Sequence, residues 1–244
     1  MQDYTYIVSI FKFVRFTTVF SDIFNLLFPL SCPGCTSHLS AGEQVLCTSC
    51  RHCIPETTYH LQEENPVVRL FYGRVRIAFA TSFLLFRKEG ITQQLIHHLK
   101  YRNRPDIGLF LGKWYGHLLR ESPFLHTVDL VVPVPLHPKK YRRRGYNQVS
   151  AFARCLADAL HARYCDTLLV KKDNPRAQAF RGKADRWEET ENLFGIRPGQ
   201  DIGNCHILLV DDVVTTGATL EHCVLAFQKS GNVKVSIATM AFTI

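Results

Sequence analysis

The stretch His206-Ile-Leu-Leu-Val-Asp-Asp-Val-Val-Thr-Thr-Gly-Ala-Thr-Leu220 constrains this chain more than any other. Ile207–Val210 is apolar without alternation, as expected of a strand buried on both faces. Asp211 and Asp212 follow, then a turn with Thr215, Thr216 and Gly217, then a helix starting near Ala218. That order belongs to an open α/β sheet, where ligands bind beyond the carboxyl ends of the strands. Backbone N–H groups of the turn and of the helix start form a cradle for an anion. Gly217 lets the backbone come close, and the hydroxyls of Thr215, Thr216 and Thr219 donate to phosphate oxygens. Two carboxylates beside such a cradle repel a bare phosphate but accept hydrogen bonds from adjacent sugar hydroxyls. The ligand these groups describe is a ribose 5-phosphate.

Three other readings of the stretch fail or say less. A magnesium-binding strand of a P-loop enzyme needs G-x-x-x-x-G-K-[ST] upstream. Gly112-Lys113 is followed by Trp114 and preceded at the required spacing by Ile107, so that motif is missing. A receiver domain carries its paired acids near its N-terminus. A merely capped helix needs neither two acids nor three threonines.

The residues after Pro123 alternate strand and helix patterns. Strands are expected at Val128–Val134, Thr167–Val170, Cys205–Val210 and Val233–Ala241, and helices at Asn147–Ala162 and Ala218–Lys229. Lys171–Phe194 reads as polar and irregular. Upstream, Gly73–Arg87 has the period of a half-buried strand or hairpin, and Ile91–Lys100 and Ile107–Leu119 read as helices. The expected fold class is α/β, a mainly parallel sheet with helices on both faces.

The N-terminal part differs. Cys32-Pro-Gly-Cys35 is followed by Cys47-Thr-Ser-Cys50, in a segment short of large apolar residues. Two C-x-x-C turns at this separation suit one tetrahedral zinc ion, held by Cys32, Cys35, Cys47 and Cys50. Cys50-Arg-His-Cys53 is a second candidate for the later pair; Cys47/Cys50 is preferred, because Gly42 and Leu46 allow a ribbon-like approach. Residues 1–30 form an amphipathic segment with a helix expected at Thr17–Phe28, which docks on the core. Its acids and bases make it a poor signal peptide, so a cytoplasmic protein with reduced thiols is expected. The domain plan is then 1–30, a four-cysteine module at 31–60, and an α/β domain at 70–244.

Lys and Arg number 29 against 21 Asp and Glu, a net charge of +8 that favours phosphorylated partners. No apolar run approaches the ~20 residues needed to span a bilayer. The positive excess lies in Leu136–Trp187, where Tyr141, Tyr146, Phe180 and Trp187 interleave with the cations. Such a stretch suits nucleic acid as well as small phosphates.

The Asp211–Thr219 stretch resembles the ribose-5-phosphate signature of the type I phosphoribosyltransferases, which bind phosphoribosyl pyrophosphate (PRPP) with magnesium. The resemblance implies that Asp211 and Asp212 contact the ribose hydroxyls. Val214, Thr215, Thr216, Gly217, Ala218 and Thr219 would hold the 5-phosphate. Val132-Pro-Val-Pro-Leu-His-Pro-Lys-Lys-Tyr-Arg-Arg-Arg-Gly-Tyr-Asn-Gln148 resembles the V-P-V-P-L…R-G-[FY]-N-Q segment of the ComF (ComFC) competence family. So does the order of parts: four cysteines, a Leu95–Tyr101 helix, and the PRPP signature near the end. By that resemblance Val134 and Pro135 open the pyrophosphate loop, in which Lys139, Arg143 and Arg144 neutralise the leaving group. Gln178, Arg186 and Phe194 match a further family pattern, while Glu189 stands where Asn is usual. The resemblance implies a role with transforming single-stranded DNA and with competence proteins. An active phosphoribosyltransferase of nucleotide metabolism and a non-catalytic DNA-binding adaptor are the two forms such a protein takes.

Overall fold

The computed structural model describes residues 30–171, 193–200 and 202–244. The helix expected at 17–28 lies outside them, as do Gln178, Phe180, Arg186, Trp187 and Glu189. Two compact units divide the chain, one ending at Cys53 and one spanning Ile54–Ile244.

In the first unit the chain turns at Cys32–Cys35, inside an antiparallel bridge between Ser31 and His38. It then enters helix α1 (Thr48–Cys53). Among its described residues the buried apolar side chains besides cysteines are Val45 and Leu46. That is too little apolar surface to hold a fold alone.

The second unit carries helix α2 (Pro66–Arg69), strand β1 (Phe79–Phe86), and helices α3 (Ile91–Tyr101) and α4 (Pro105–Leu119). It continues through β2 (Leu130–Pro133), α5 (Pro138–Arg144), α6 (Ser150–Leu160), β3 (Arg163–Tyr164) and β4 (Leu169–Lys171). The described chain resumes with β5 (Phe194–Ile196), β6 (His206–Val214), α7 (Ala218–Ser230) and β7 (Lys234–Thr243). Five strands form one sheet in the order β1-β7-β6-β2-β3. Every pairing in it is parallel. The expected α/β class with a parallel sheet is therefore what forms.

Particular elements depart from expectation. β4 does not join the sheet; it pairs antiparallel with β5. Residues 73–78 precede β1 without strand structure. Six of the eight β1 residues are buried rather than alternate ones. Helices cover both its faces, and its free edge pairs with residues 55–57. There Thr57 N–H donates to the Phe83 carbonyl and Leu85 N–H to that of Pro55, both at 2.8 Å. Covering an edge in this way removes a site of strand addition. The basic stretch expected as a loop is helix α5. Pro138 sits in its first turn, His137 Nδ1 accepts the Lys139 N–H, and left-handed Gly145 ends it. Arg142–Arg144 in its last turn also face the negative end of the helix dipole.

The two faces pack differently. On one, Tyr115 of α4 lies between Phe83 and Phe152, with ring centroids 4.8 and 6.1 Å away. Helices α4 and α6 meet at Gly112 and Gly116, where an added Cβ would come within 2.9 Å of Cys155 or Phe152 and of Ala159. On the other face Leu220, Val224 and Phe227 of α7 join Ile207, Leu209 and Ile237 of the sheet in one core cluster.

His206 starts β6 in this core. Its ring nitrogens pair with Thr127 Oγ1 and Ser236 Oγ, both at 2.8 Å. Burial, then Lys234, pushes its pKa down to about 4. A lowered folded value means the unfolded chain binds the proton first. Stability should therefore fall with acidification from about pH 6.5 downward, on the order of 3 kcal/mol by pH 4. Urea unfolding of His206→Gln should show a flatter pH dependence over that window. Equal slopes in parent and variant would remove His206 as the cause.

Candidate functional site

The chain leaves β2 for β3 on one side, and returns through β6 to β7 on the other. The crevice between the carboxyl ends of β2 and β6 is the switch point of the sheet. β2 ends at Pro133, opposite Val210, while β6 runs on beside β7 to Val214. Asp211 and Asp212 thus lie within β6, on the part that outruns β2.

Successive strand residues point to opposite faces, and the two carboxylates accordingly differ. Asp212 is 6% exposed. Its Oδ1 takes Lys100 Nζ of α3 at 2.9 Å, and its Oδ2 takes Gln148 Nε2 at 2.7 Å. Asp211 is half-buried and accepts the Asp212 N–H at 2.8 Å. Burial, then the neighbouring Asp212, raises the Asp211 carboxyl above the ordinary range. Lys171, at the end of β4, is lowered first by burial and next by Lys140, with Asp211 acting against both.

The turn after β6 is built as the sequence requires. Asp211 and Val214–Thr219 line a cavity of about 70 Å³. Gly217 has φ 76°, and a Cβ there would stand 3.1 Å from the Phe71 ring. Arg74 holds the turn from outside, donating to the Thr216 carbonyl at 2.6 Å and pairing with Glu221. The first N–H groups of α7 have no intrahelical acceptor. The turn, its threonines and Asp211 thus share one small concavity that fits a phosphate.

The β2 side is arranged by side chains downstream. Val134 N–H donates to the Val210 carbonyl at 2.8 Å, and the Val134 carbonyl accepts Asn147 Nδ2 at 3.0 Å. Pro135, Tyr141 and Arg154 line a separate cavity of about 590 Å³. Lys139, Lys140, Arg142 and Arg143 are exposed on α5. Arg144 is turned inward: its guanidinium donates to Gln148 Oε1 at 2.8 Å and lies 5.3 Å over the Tyr101 ring. It acts on the site through Gln148 and Asp212. Read from sequence, neither Lys100 nor Gln148 has a role at the site. Each lies in a stretch that carries the family resemblance, Lys100 in Leu95–Tyr101 and Gln148 in Val132–Gln148, and that is the signal available for both.

In the first unit the sulfurs of Cys32, Cys35, Cys47 and Cys50 lie within 4.8 Å of one another. Cys35 and Cys47 Sγ are 3.6 Å apart. Tetrahedral zinc with bonds of about 2.3 Å spaces its sulfurs about 3.8 Å apart, so the set fits that ion. N–H groups of Gly34 and Cys47 point to Cys32 Sγ, and that of Cys50 to Cys47 Sγ, each at 3.4 Å. Such bonds orient and partly neutralise thiolates. Cys53 is exposed and outside the cluster. The second pair is therefore Cys47/Cys50, set at the start of α1.

Among the described residues no helix is long and apolar enough to cross a membrane. No family model matches the chain. Over 155 residues it is 28% identical to the DNA utilization protein YhgH of Escherichia coli, covering 62% of this chain and 66% of that protein. Over 228 residues it is 23% identical to Competence protein F of Haemophilus influenzae, covering 88% and 97%. Over 130 residues it is 32% identical to Competence protein ComFC of Streptococcus pneumoniae, covering 53% and 56%. A glutamine PRPP amidotransferase from B. subtilis superposes with a TM-score of 0.40 at 20% identity, over 58% of this chain and 30% of that one. The chain is a homologue of the ComF and ComFC competence proteins and of the YhgH DNA utilization proteins.

Proposed function

We propose that the chain binds PRPP or a related ribose 5-phosphate ligand at the switch point, and that this site serves the handling of incoming single-stranded DNA. The observation that carries the reading is the concavity shared by Asp211 and the Thr215–Thr219 turn. The turn takes the 5-phosphate, and Asp211 accepts from the ribose hydroxyls. Magnesium would enter with the pyrophosphate and neutralise its charge, and Asp211 is the carboxylate beside the turn that would face it. The zinc of the cysteine cluster is structural, since four thiolates close its coordination.

Calorimetry with PRPP and magnesium tests the site. Asp211→Asn keeps the shape and replaces one acceptor oxygen by an amide that can only donate. It should weaken PRPP about 10-fold, the scale of one lost hydrogen bond. Unchanged affinity in the folded variant would remove the sugar contact.

The DNA part of the reading is supported by the exposed cations and Tyr141 of α5, and by what the relatives are called. Arg142→Ala with Arg143→Ala should lower the affinity for single-stranded DNA evenly across sequences. The salt slope should flatten by about 0.7 for each phosphate that is no longer neutralised. Arg144 is left intact because its guanidinium supports Gln148. An unaltered slope would mean that α5 is only a solvated face.

A further inference from the structure

We propose that Arg74 is a positioning residue for the phosphate cradle: its guanidinium sets which way the Thr216–Gly217 peptide faces and so aims the Gly217 N–H at the phosphate. The proposal rests on the phosphoribosyl reading above and names what keeps that site in its binding form.

Arg74 follows α2 and precedes β1. Its own turn is held by backbone, since the Arg74 and Val75 N–H groups both donate to the Phe71 carbonyl, at 3.1 and 3.3 Å. From there the guanidinium makes three contacts. Nη1 donates to the Leu70 carbonyl at 3.0 Å and to the Thr216 carbonyl at 2.6 Å. Nη2 pairs with Glu221, in the first turn of α7. A planar fork held at three points keeps its direction, which a lone ammonium on a flexible stem does not.

The Thr216 carbonyl shares its peptide unit with the Gly217 N–H. No peptide bond among the described residues is cis, and in a trans peptide the C=O and N–H point in opposite directions. Arg74 draws the carbonyl towards itself and is not among the residues that line the phosphate-sized cavity, whereas Gly217 is. The Gly217 N–H therefore faces the cavity. It donates to no group among the described residues, so a phosphate oxygen can take it.

The chain by itself does not fix this orientation. Gly217 has φ 76° and ψ −2°, the values of the third residue of a type II turn. Turning the Thr216–Gly217 peptide over gives the type I form, which glycine enters as readily. The carbonyl would then face the cavity and repel a phosphate. A side chain at position 217 cannot supply the bias, because its Cβ would stand 3.1 Å from the Phe71 ring. The bias comes from Arg74.

The test joins calorimetry of the full chain with ribose 5-phosphate to amide NMR of the same titration. In the parent the ligand should move the Gly217 amide proton downfield, as a new bond to a charged acceptor does. Arg74→Met should weaken ribose 5-phosphate about tenfold, the scale of one hydrogen bond. At saturation its Gly217 amide should stay in place while that of Thr219 still shifts. Losing Arg74 also strands the Glu221 carboxylate near the turn, and that charge alone would repel a phosphate. Arg74→Met with Glu221→Gln removes it, and the double variant should remain weak. Affinity restored to the parent's level there would reduce Arg74 to a counter-charge for Glu221 and overturn the proposal. So would a Gly217 amide that stays in place in the parent, or one that shifts in Arg74→Met. The double variant carries the test alone should Arg74→Met not fold. If ribose 5-phosphate does not bind the parent, the phosphoribosyl reading falls, and inorganic phosphate replaces it in both measurements. The role of Arg74 then stands if phosphate shifts the Gly217 amide in the parent and not in the variants, and falls otherwise.

Discussion

Cys47→Ser is expected to release the metal from the N-terminal unit and to unfold it. Cys47 Sγ stands 3.6 Å from Cys35 Sγ and receives the Cys50 N–H. A serine hydroxyl is a shorter and harder ligand, so one corner of the tetrahedron is lost. Among its described residues the unit has little else to hold it, with Val45 and Leu46 the buried apolar side chains besides cysteines. In small zinc modules the ion supplies on the order of 10–16 kcal/mol of apparent binding energy, which is folding energy. Purified parent protein should carry one zinc per chain, and Cys47→Ser well under half of that. Limited proteolysis should then cut the segment before α1 in the variant and spare it in the parent. Cys53→Ser should behave as the parent, because Cys53 is exposed and outside the cluster. Full zinc content in Cys47→Ser would dismiss the four-sulfur site.

Where the fold is legible, one physical signal dominates. Cys205–Val210 and Val128–Val134 read as strands because parallel strands covered on both faces are mainly apolar. Where it is not, a polar function overrides the pattern. β6 reads as ending at Val210 because two acids follow, yet it continues to Val214 since β7 runs beside it as far as Phe242. Helix α5 is hidden by its charge, although Pro138 and Gly145 frame it at the positions helices prefer. The approach of α4 to α6 follows from Gly108, Gly112 and Gly116, spaced four apart on one helix face. Helical amphipathicity makes no use of glycine, so the pattern of large apolar residues passes over it.

The site is legible in kind and not in wiring. Motif chemistry leads to the threonine turn and to both acids. It treats Asp211 and Asp212 as an equivalent pair, and the alternation of β6 separates them. Lys100 lies 112 positions before Asp212. Nothing local to α3 reveals such a partner, because an ion pair of this kind is made by packing.

That ion pair gives the second large effect. Lys100→Met keeps the length of the side chain and removes the ammonium, leaving the Asp212 carboxylate with Gln148 alone. Asp212 is 6% exposed, so the stranded charge is poorly hydrated. Breaking a buried pair costs about 3–5 kcal/mol. The Lys100 side chain is 22% exposed, and solvent screening lowers the expectation to about 2 kcal/mol. Adding Asp212→Asn to Lys100→Met removes the stranded charge while its amide oxygen still accepts from Gln148. The double variant should be more stable than Lys100→Met at neutral pH, with a coupling of about 1–3 kcal/mol between the two positions. Urea unfolding of the parent, both single variants and the double variant measures this coupling directly. If Lys100→Met unfolds at the same urea concentration as the parent, the ion pair does not hold α3 against β6. The position of α3 would then be fixed by the packing of Leu95, Ile96 and Leu99, its buried apolar residues.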